Sequence, residues 1–302
     1  AQRALNTFDW LRVNSTGQEV YFQGYERLRF ADRTINLGVT PNDPLFSQQW
    51  NLRMMDVPGA WRFTTGANNV LVGNIDSGLN TSNRHEDINF NRTTLHSQAH
   101  DDSNLHSNSR RRRAYGHGTG VHGIMSANTN NGVGIAGINW NSETYVADLF
   151  GPSSLTAYGA LQAVSSYAST TNQRAVINNS WGRAPGTGRN TSERDLMNSS
   201  ENRDRLLYMF SSGNDGVNPV NYPSRWAETL NNVVSVGALD TNGRRHNYSN
   251  YGTGLTLMAP AGVPSTRMPT STIEYRGVTY DVISDRDYYP VQAVSRADGR
   301  TY

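Results

Sequence analysis

Short apolar runs recur along the chain, each closed by small or polar residues: NVLVGNID (69–76), ETYVADLF (143–150), RAVINNSWG (174–182), LLYMFSSGNDG (206–216) and NVVSVGAL (232–239). Runs of this length that are apolar nearly throughout predict strands buried inside a sheet. Between them, LTAYGALQAVSSYA places Leu155, Tyr158, Leu161, Val164 and Ala168 at helical spacing. NTSERDLMNSSENRDR (190–205) opens on capping residues and predicts a surface helix. Strands alternating with helices predict an α/β fold, a doubly wound, mostly parallel sheet with helices on both faces. Binding chemistry in such sheets gathers at the carboxyl ends of the strands, which draws attention to Asp76 and Asn214.

The first forty residues read differently. EVYFQGYERLRF alternates apolar or aromatic with polar positions and predicts a strand or an edge hairpin. LGVTPNDPLFSQQW is rich in turn formers, and its two prolines predict a boundary near Val39. The expected division is therefore an N-terminal extension over 1–40 and a main domain over 41–302. A chain of 302 residues suffices for one sizeable core. No apolar run reaches the roughly 18–20 residues of a membrane span. Cysteine is absent, which excludes disulfides, thiolate metal sites and a cysteine nucleophile. A net charge of +2 gives no argument for nucleic acid. All 27 basic residues are arginine; the block Arg110–Arg113 reads as a solvated loop or a processing site.

Three motifs carry the chemistry. Asp76 closes an apolar strand in NIDSGLN, an expensive place for a carboxylate without a partner. His117 sits in GHGTGVHGIMSA, where glycines leave the backbone bare enough for another chain to approach. Asn214 follows a strand in SSGNDG. Singly, each reads as an ordinary turn or loop residue. In this order the three motifs resemble those of the subtilisin-like serine proteases, the subtilases, over residues 41–262. The resemblance implies a secreted, periplasmic or cell-surface serine endopeptidase acting on polypeptides. Asp76 would orient and stabilise His117, His117 would be the general base, and Asn214 would donate to the oxyanion. Ser180, Trp181 and Gly182, with Gly213, would form the substrate-binding wall. His122 is expected to be structural. Arg183, where kexin-like relatives carry acidic residues, argues against dibasic specificity.

The resemblance also implies a structural calcium ion. NTNNGVGIAGI (128–138) is similar to the family's calcium loop and HEDI (85–88) to its partner motif. Asp87, the Asn131 side chain, the carbonyls of Thr129, Val133 and Ile135, and a glutamine, Gln48 or Gln49, would supply the oxygens calcium requires. The family's G-T-S-x-x-x-P-type serine motif does not occur, and Ser271 in PTSTIEYRG lacks its context. The expected nucleophile therefore lies on a C-terminal fragment outside this chain, and residues 1–40 are a propeptide remnant or an extension. The alternative is a catalytically inactive binding or regulatory module on the same fold.

Overall fold

A computed structural model of the chain describes residues 9–12, 14–22, 27–81, 84–96, 116–150 and 155–261, together with strand segments 271–275, 278–282 and 295–296. The Arg110–Arg113 block lies outside the described residues. Two antiparallel pairs come first: β1 (Asp9–Arg12) with β2 (Glu19–Phe22), and β3 (Arg27–Arg29) with β4 (Thr34–Asn36). EVYFQGYERLRF thus contributes one strand to each of two pairs. The short helices α1 (Trp50–Met54) and α2 (Val57–Ala60) follow. They bury Leu52, Val57 and Trp61 with Phe46 and Ala136, and Val39 packs against this cluster.

The centre is a seven-stranded, all-parallel sheet. Its strands are β5 (Val70–Asp76), β6 (Thr93–Leu95), β7 (Thr144–Asp148), β8 (Arg174–Asn179), β9 (Leu206–Ser211), β10 (Val233–Leu239) and β11 (Leu257–Pro260). Their order is β11-β10-β9-β8-β5-β7-β6, so the chain departs from β5 in both directions, the doubly wound arrangement expected. Helix α3 (His117–Ser126) packs on β5, and α4 (Ala157–Thr170) lies on the other face. There Leu161, Val164 and Ala168 meet Leu71, Ile75, Ile177, Tyr208 and Phe210 in the principal core. Gly73 makes this close approach possible: a Cβ there would stand 3.0 Å from Val164 Cγ1. A C-terminal antiparallel unit, β12 (Ser271–Tyr275), β13 (Val278–Val282) and β14 (Ser295–Arg296), completes the described strands, and Ser271 stands on β12.

Two expectations change. The surface helix over 190–205 ends early: α5 is Thr191–Met197, because the Asn202 side chain donates to the Leu196 carbonyl and turns replace the remaining helix. It is also less superficial than expected, with Glu193 and Met197 buried. The sheet, moreover, is not equally covered on its two faces. β8, β9 and β10 bury alternate residues on one face, β8 against α4 and β10 against the Ser224–Glu228 turn, whereas Val176 on the opposite face is 39 % exposed and Met209, Val234 and Val236 are only half-buried.

His122, on the buried side of α3, has the structural setting predicted for it. Burial, and secondarily the Arg92 charge, push its pKa down to about 3, so the folded protein holds it neutral. Arg92 itself donates to the carbonyls of Ser126, Ser142 and Asn139, supplying positive charge at the carboxyl end of α3. An unfolded histidine titrates near 6.5, so the unfolded chain binds the extra proton first as pH falls. His122 therefore contributes stability above pH 6.5 that is lost between 6.5 and 3, by up to about 1.4 kcal/mol per pH unit. Urea unfolding at pH 7 and pH 5 should show a smaller acid loss for His122→Gln than for the wild type.

Candidate active site

Three adjacent strands, β5, β8 and β9, deliver the predicted residues to one end of the sheet. Asp76 is the last residue of β5, Ser180–Gly182 follow β8, and Gly213–Asn214 follow β9. The histidine comes from the amino end of α3, which starts at His117 after Gly116 in a left-handed conformation (φ 67°). Gly118 is needed next to it, since a Cβ would collide with the Gly78 carbonyl at the turn after β5. Gly118 N–H donates to Ser77 Oγ at 2.9 Å, Asn74 donates to the Gly118 carbonyl at 3.3 Å, and Asn80 N–H donates to Thr119 Oγ1 at 3.1 Å. The acid-bearing turn and the base-bearing helix are thereby laced together.

Across this junction His117 Nδ1 lies 2.7 Å from Asp76 Oδ1, which also accepts the Ser77 N–H at 2.7 Å. The carboxylate can only accept, so Nδ1 carries the proton and neutral His117 has its lone pair on Nε2. The side-chain exposures are 1 % for Asp76 and 39 % for His117. The acid is shielded from water while the imidazole faces outward, the asymmetry required of an orienting group and a working base.

The 212–217 loop, which carries Asn214, is shaped by a residue the sequence reading did not single out. Asn250 is wholly buried; its Oδ1 accepts from Asp215 N–H (3.0 Å) and Val217 N–H (3.1 Å), and its Nδ2 donates to the Ser212 carbonyl (3.1 Å). Its own backbone N–H donates to the Gly213 carbonyl at 3.0 Å. Gly213 must be glycine, because it has φ 106° and its missing Cβ would meet the Asn250 and Asn221 amides. Asn214 is left exposed, its side chain without a hydrogen bond among the described residues. Only a donation pattern in three dimensions reveals Asn250; YSNYG in sequence is an ordinary turn.

The proposed substrate wall is half core, half surface. Trp181 is buried edge-on against Phe210 at 5.5 Å, and Ser180 Oγ engages the Asn178 side chain. Gly182 is exposed, and its backbone groups make no hydrogen bond among the described residues. Arg183 N–H then donates to the Tyr222 carbonyl at 2.9 Å, and its guanidinium forks onto both oxygens of buried Glu193.

At the opposite rim of α3, the 128–138 loop surrounds two buried carboxylates, Asp87 and Asp43. Asp87 accepts from Ile135 N–H (2.9 Å) and Asn131 Nδ2 (3.1 Å); Asp43 accepts from the N–H groups of Asn130 (2.8 Å) and Asn131 (3.3 Å). Neither has a cationic side chain as partner among the described residues. Burial raises the pKa of both, that of Asp87 to about 8, with the Asp43 charge adding to the rise. The carbonyls of Thr129, Val133 and Ile135 accept no hydrogen bond among the described residues. Gly134 (φ 55°) has no room for a Cβ beside Asp87. Of the two expected glutamines, Gln49 reaches this loop but spends its amide on the backbone. Gln48 is exposed, and Gln49 is tied at both ends of its amide to the Ala136 backbone, at 2.8 Å each. Asp43 of the TPNDP turn stands in its place, because the 42–45 segment is stitched to the loop through Asn42 and Leu45.

Comparison with known proteins identifies relatives of the chain. The chain is 30 % identical over 226 residues to an alkaline protease of Alkalihalobacillus alcalophilus; this region is 75 % of the chain but 54 % of that relative, so the chain spans about half its length. It is 29 % identical to subtilisin BL of Lederbergia lenta, covering 75 % of the chain and 76 % of the relative, and 27 % identical to thermitase of Thermoactinomyces vulgaris, covering 77 % of each. Among solved structures, a protease of Pseudoalteromonas arctica PAMC 21717 superposes with a TM-score of 0.61 at 26 % identity, covering 75 % of the chain and 74 % of that protein. The Subtilase family profile matches residues 67–289, and the chain belongs to that family.

Proposed function

We propose that this chain supplies the acid, the base and the oxyanion donor of a serine endopeptidase whose nucleophilic serine lies outside residues 1–302. The observation that carries the reading is the 2.7 Å contact between buried Asp76 and outward-facing His117. A serine hydroxyl is too weak an acid to attack an amide unaided, so His117 Nε2 takes its proton as the Oγ–carbonyl bond forms. Asp76 holds the ring and stabilises the imidazolium, and Asn214 donates to the developing oxyanion. His117 then returns the proton to the leaving amine as the C–N bond breaks, and water repeats the cycle on the acyl-enzyme. The open backbone of Gly182 suits strand-like pairing with an extended polypeptide. The half-covered face of β8–β10 supports a further segment packing there, as a serine-bearing element would.

Secretion or display at the cell surface accords with the absence of cysteine and with the lack, among the described residues, of any helix long and apolar enough to cross a membrane. Calcium fits the loop at residues 128–138. Asp43, Asp87, the Asn131 amide oxygen and the carbonyls of Thr129, Val133 and Ile135 would hold it, and the ion would supply the positive charge these buried carboxylates lack.

With the serine-bearing segment present, His117→Ala should lower kcat on a peptide anilide by about 10⁴-fold or more. Asn214→Ala should lower it by about 10²–10³-fold. A fluorophosphonate should label the serine-bearing polypeptide alone, seen as a mass shift in a denaturing spectrum; full activity in His117→Ala would rule the reading out.

Calcium added to chelator-treated protein at about 100 times its Kd should raise stability by about 2.7 kcal/mol, a Tm shift of roughly 5–10 °C. Asp43→Asn combined with Asp87→Asn should remove that increment while the calcium-free protein melts no earlier.

A further inference from the structure

Beside the substrate edge lies a cavity of about 570 Å³, walled by residues 184–189 on one side and by 217–222 with Arg225 on the other. Its lining includes two arginines, Arg189 and Arg225, and no aspartate or glutamate. The guanidiniums rest on an aromatic platform. Tyr222 and Trp226 pack with ring centroids 4.9 Å apart; Arg189 and Arg194 each lie 5.4 Å from the Trp226 ring, and Arg225 lies 5.8 Å from that of Tyr222. Two of the three charges are answered locally, Arg194 by Asp195 at 2.6 Å and Arg225 by Glu228 at 2.8 Å. Arg189 has no carboxylate partner among the described residues.

The wall that carries Arg189 is held in place. Arg183 is occupied by Glu193, Asn190 also donates to Glu193 at 3.1 Å, and Gly188 (φ 80°) lies so close on the Arg183 stem that a Cβ would collide with it. This clamp joins the loop to both α5 and the Gly182 edge, so the backbone that carries Arg189 is ordered before any ligand arrives, which lowers the entropic cost of binding. The other wall begins three residues after Asn214 and includes Tyr222, whose carbonyl receives the Arg183 N–H.

We propose that this cavity is a side-chain subsite that binds the carboxylate of an aspartate or glutamate in a polypeptide lying along the Gly182 edge, with Arg189 as the recognising residue and Arg225 as a secondary donor. It rests on the reading of that edge as peptide-binding. A guanidinium held over an aromatic ring gains a cation–π contact that uses none of its N–H donors, and arginine can receive a carboxylate with two parallel hydrogen bonds.

The test is fluorescence anisotropy of the full chain with fluorescein-labelled octapeptides that carry glutamate, glutamine or lysine at one scanned position. At low salt, one position should prefer glutamate over glutamine at least 10-fold. Arg189→Gln should reduce that ratio to near one while leaving the glutamine peptide's affinity unchanged, and Arg225→Gln should reduce it less. Equimolar free glutarate should not compete; displacement by it would overturn the assignment to a peptide-borne carboxylate. Tight but equal binding of glutamate and glutamine peptides, or a preference that survives Arg189→Gln, overturns the subsite alone. If no peptide binds and no serine is labelled by fluorophosphonate, the peptidase reading fails and the subsite with it.

Discussion

The Asp76 carboxylate, 1 % exposed at the end of an apolar strand, must be compensated where it stands, and much of the surrounding architecture follows from that requirement. The backbone N–H of Ser77, just after β5, donates one hydrogen bond to it, but the side-chain partner comes from elsewhere. It comes from α3, and the helix must approach so closely that Gly118 replaces any larger residue against the Gly78 carbonyl. Ser77, Asn74 and Thr119 then satisfy the polar groups that this approach buries. Gly118 of GHGTG is thus demanded by packing.

The protein treats its buried acids in three different ways. Asp76 is matched to a histidine that can change its protonation state, which makes the pair useful for proton transfer. Glu193 is matched to Arg183, which cannot change its charge, and that pair serves as a clamp on the loop beside Gly182. Asp43 and Asp87 have no cationic side chain as partner among the described residues, and burial drives Asp87 to titrate near 8. Two adjacent buried carboxylates ringed by carbonyls without hydrogen bonds form a donor set for a hard divalent ion. The three settings differ in the charge of the partner: a titratable imidazole, a permanent guanidinium, and no cationic side chain among the described residues.

On the substrate side, rigidity comes from amides rather than ions. Asn250 satisfies three backbone groups of the 212–217 segment with a single side chain, which holds Asn214 outward without contacting it further. Under the proposed function this matters because a donor to a transient oxyanion must be in position beforehand; reorganising it during the reaction would return part of the gain.

By itself the sequence determined the parallel α/β class, strands β5 and β7 to β10, and helix α4, and it singled out Asp76 and His117, which the structure brings into contact. These features are local: an apolar run, a helical period, or a short motif whose glycines announce an unusual backbone. Only the tertiary structure decided what depends on residues far apart in the chain. Gln48 and Asp43 are equally polar neighbours of a turn, and the stitching of residues 42–45 to the 130–134 segment brings the Asp43 carboxylate onto the loop's N–H groups. Asn250 gains its role from a loop 35 residues earlier. The helix expected through Arg205 stops at Met197 because Asn202 folds back on Leu196. Composition cannot foretell such outcomes, since hydrogen-bonding capacity is written in the sequence but its partners are chosen by the fold.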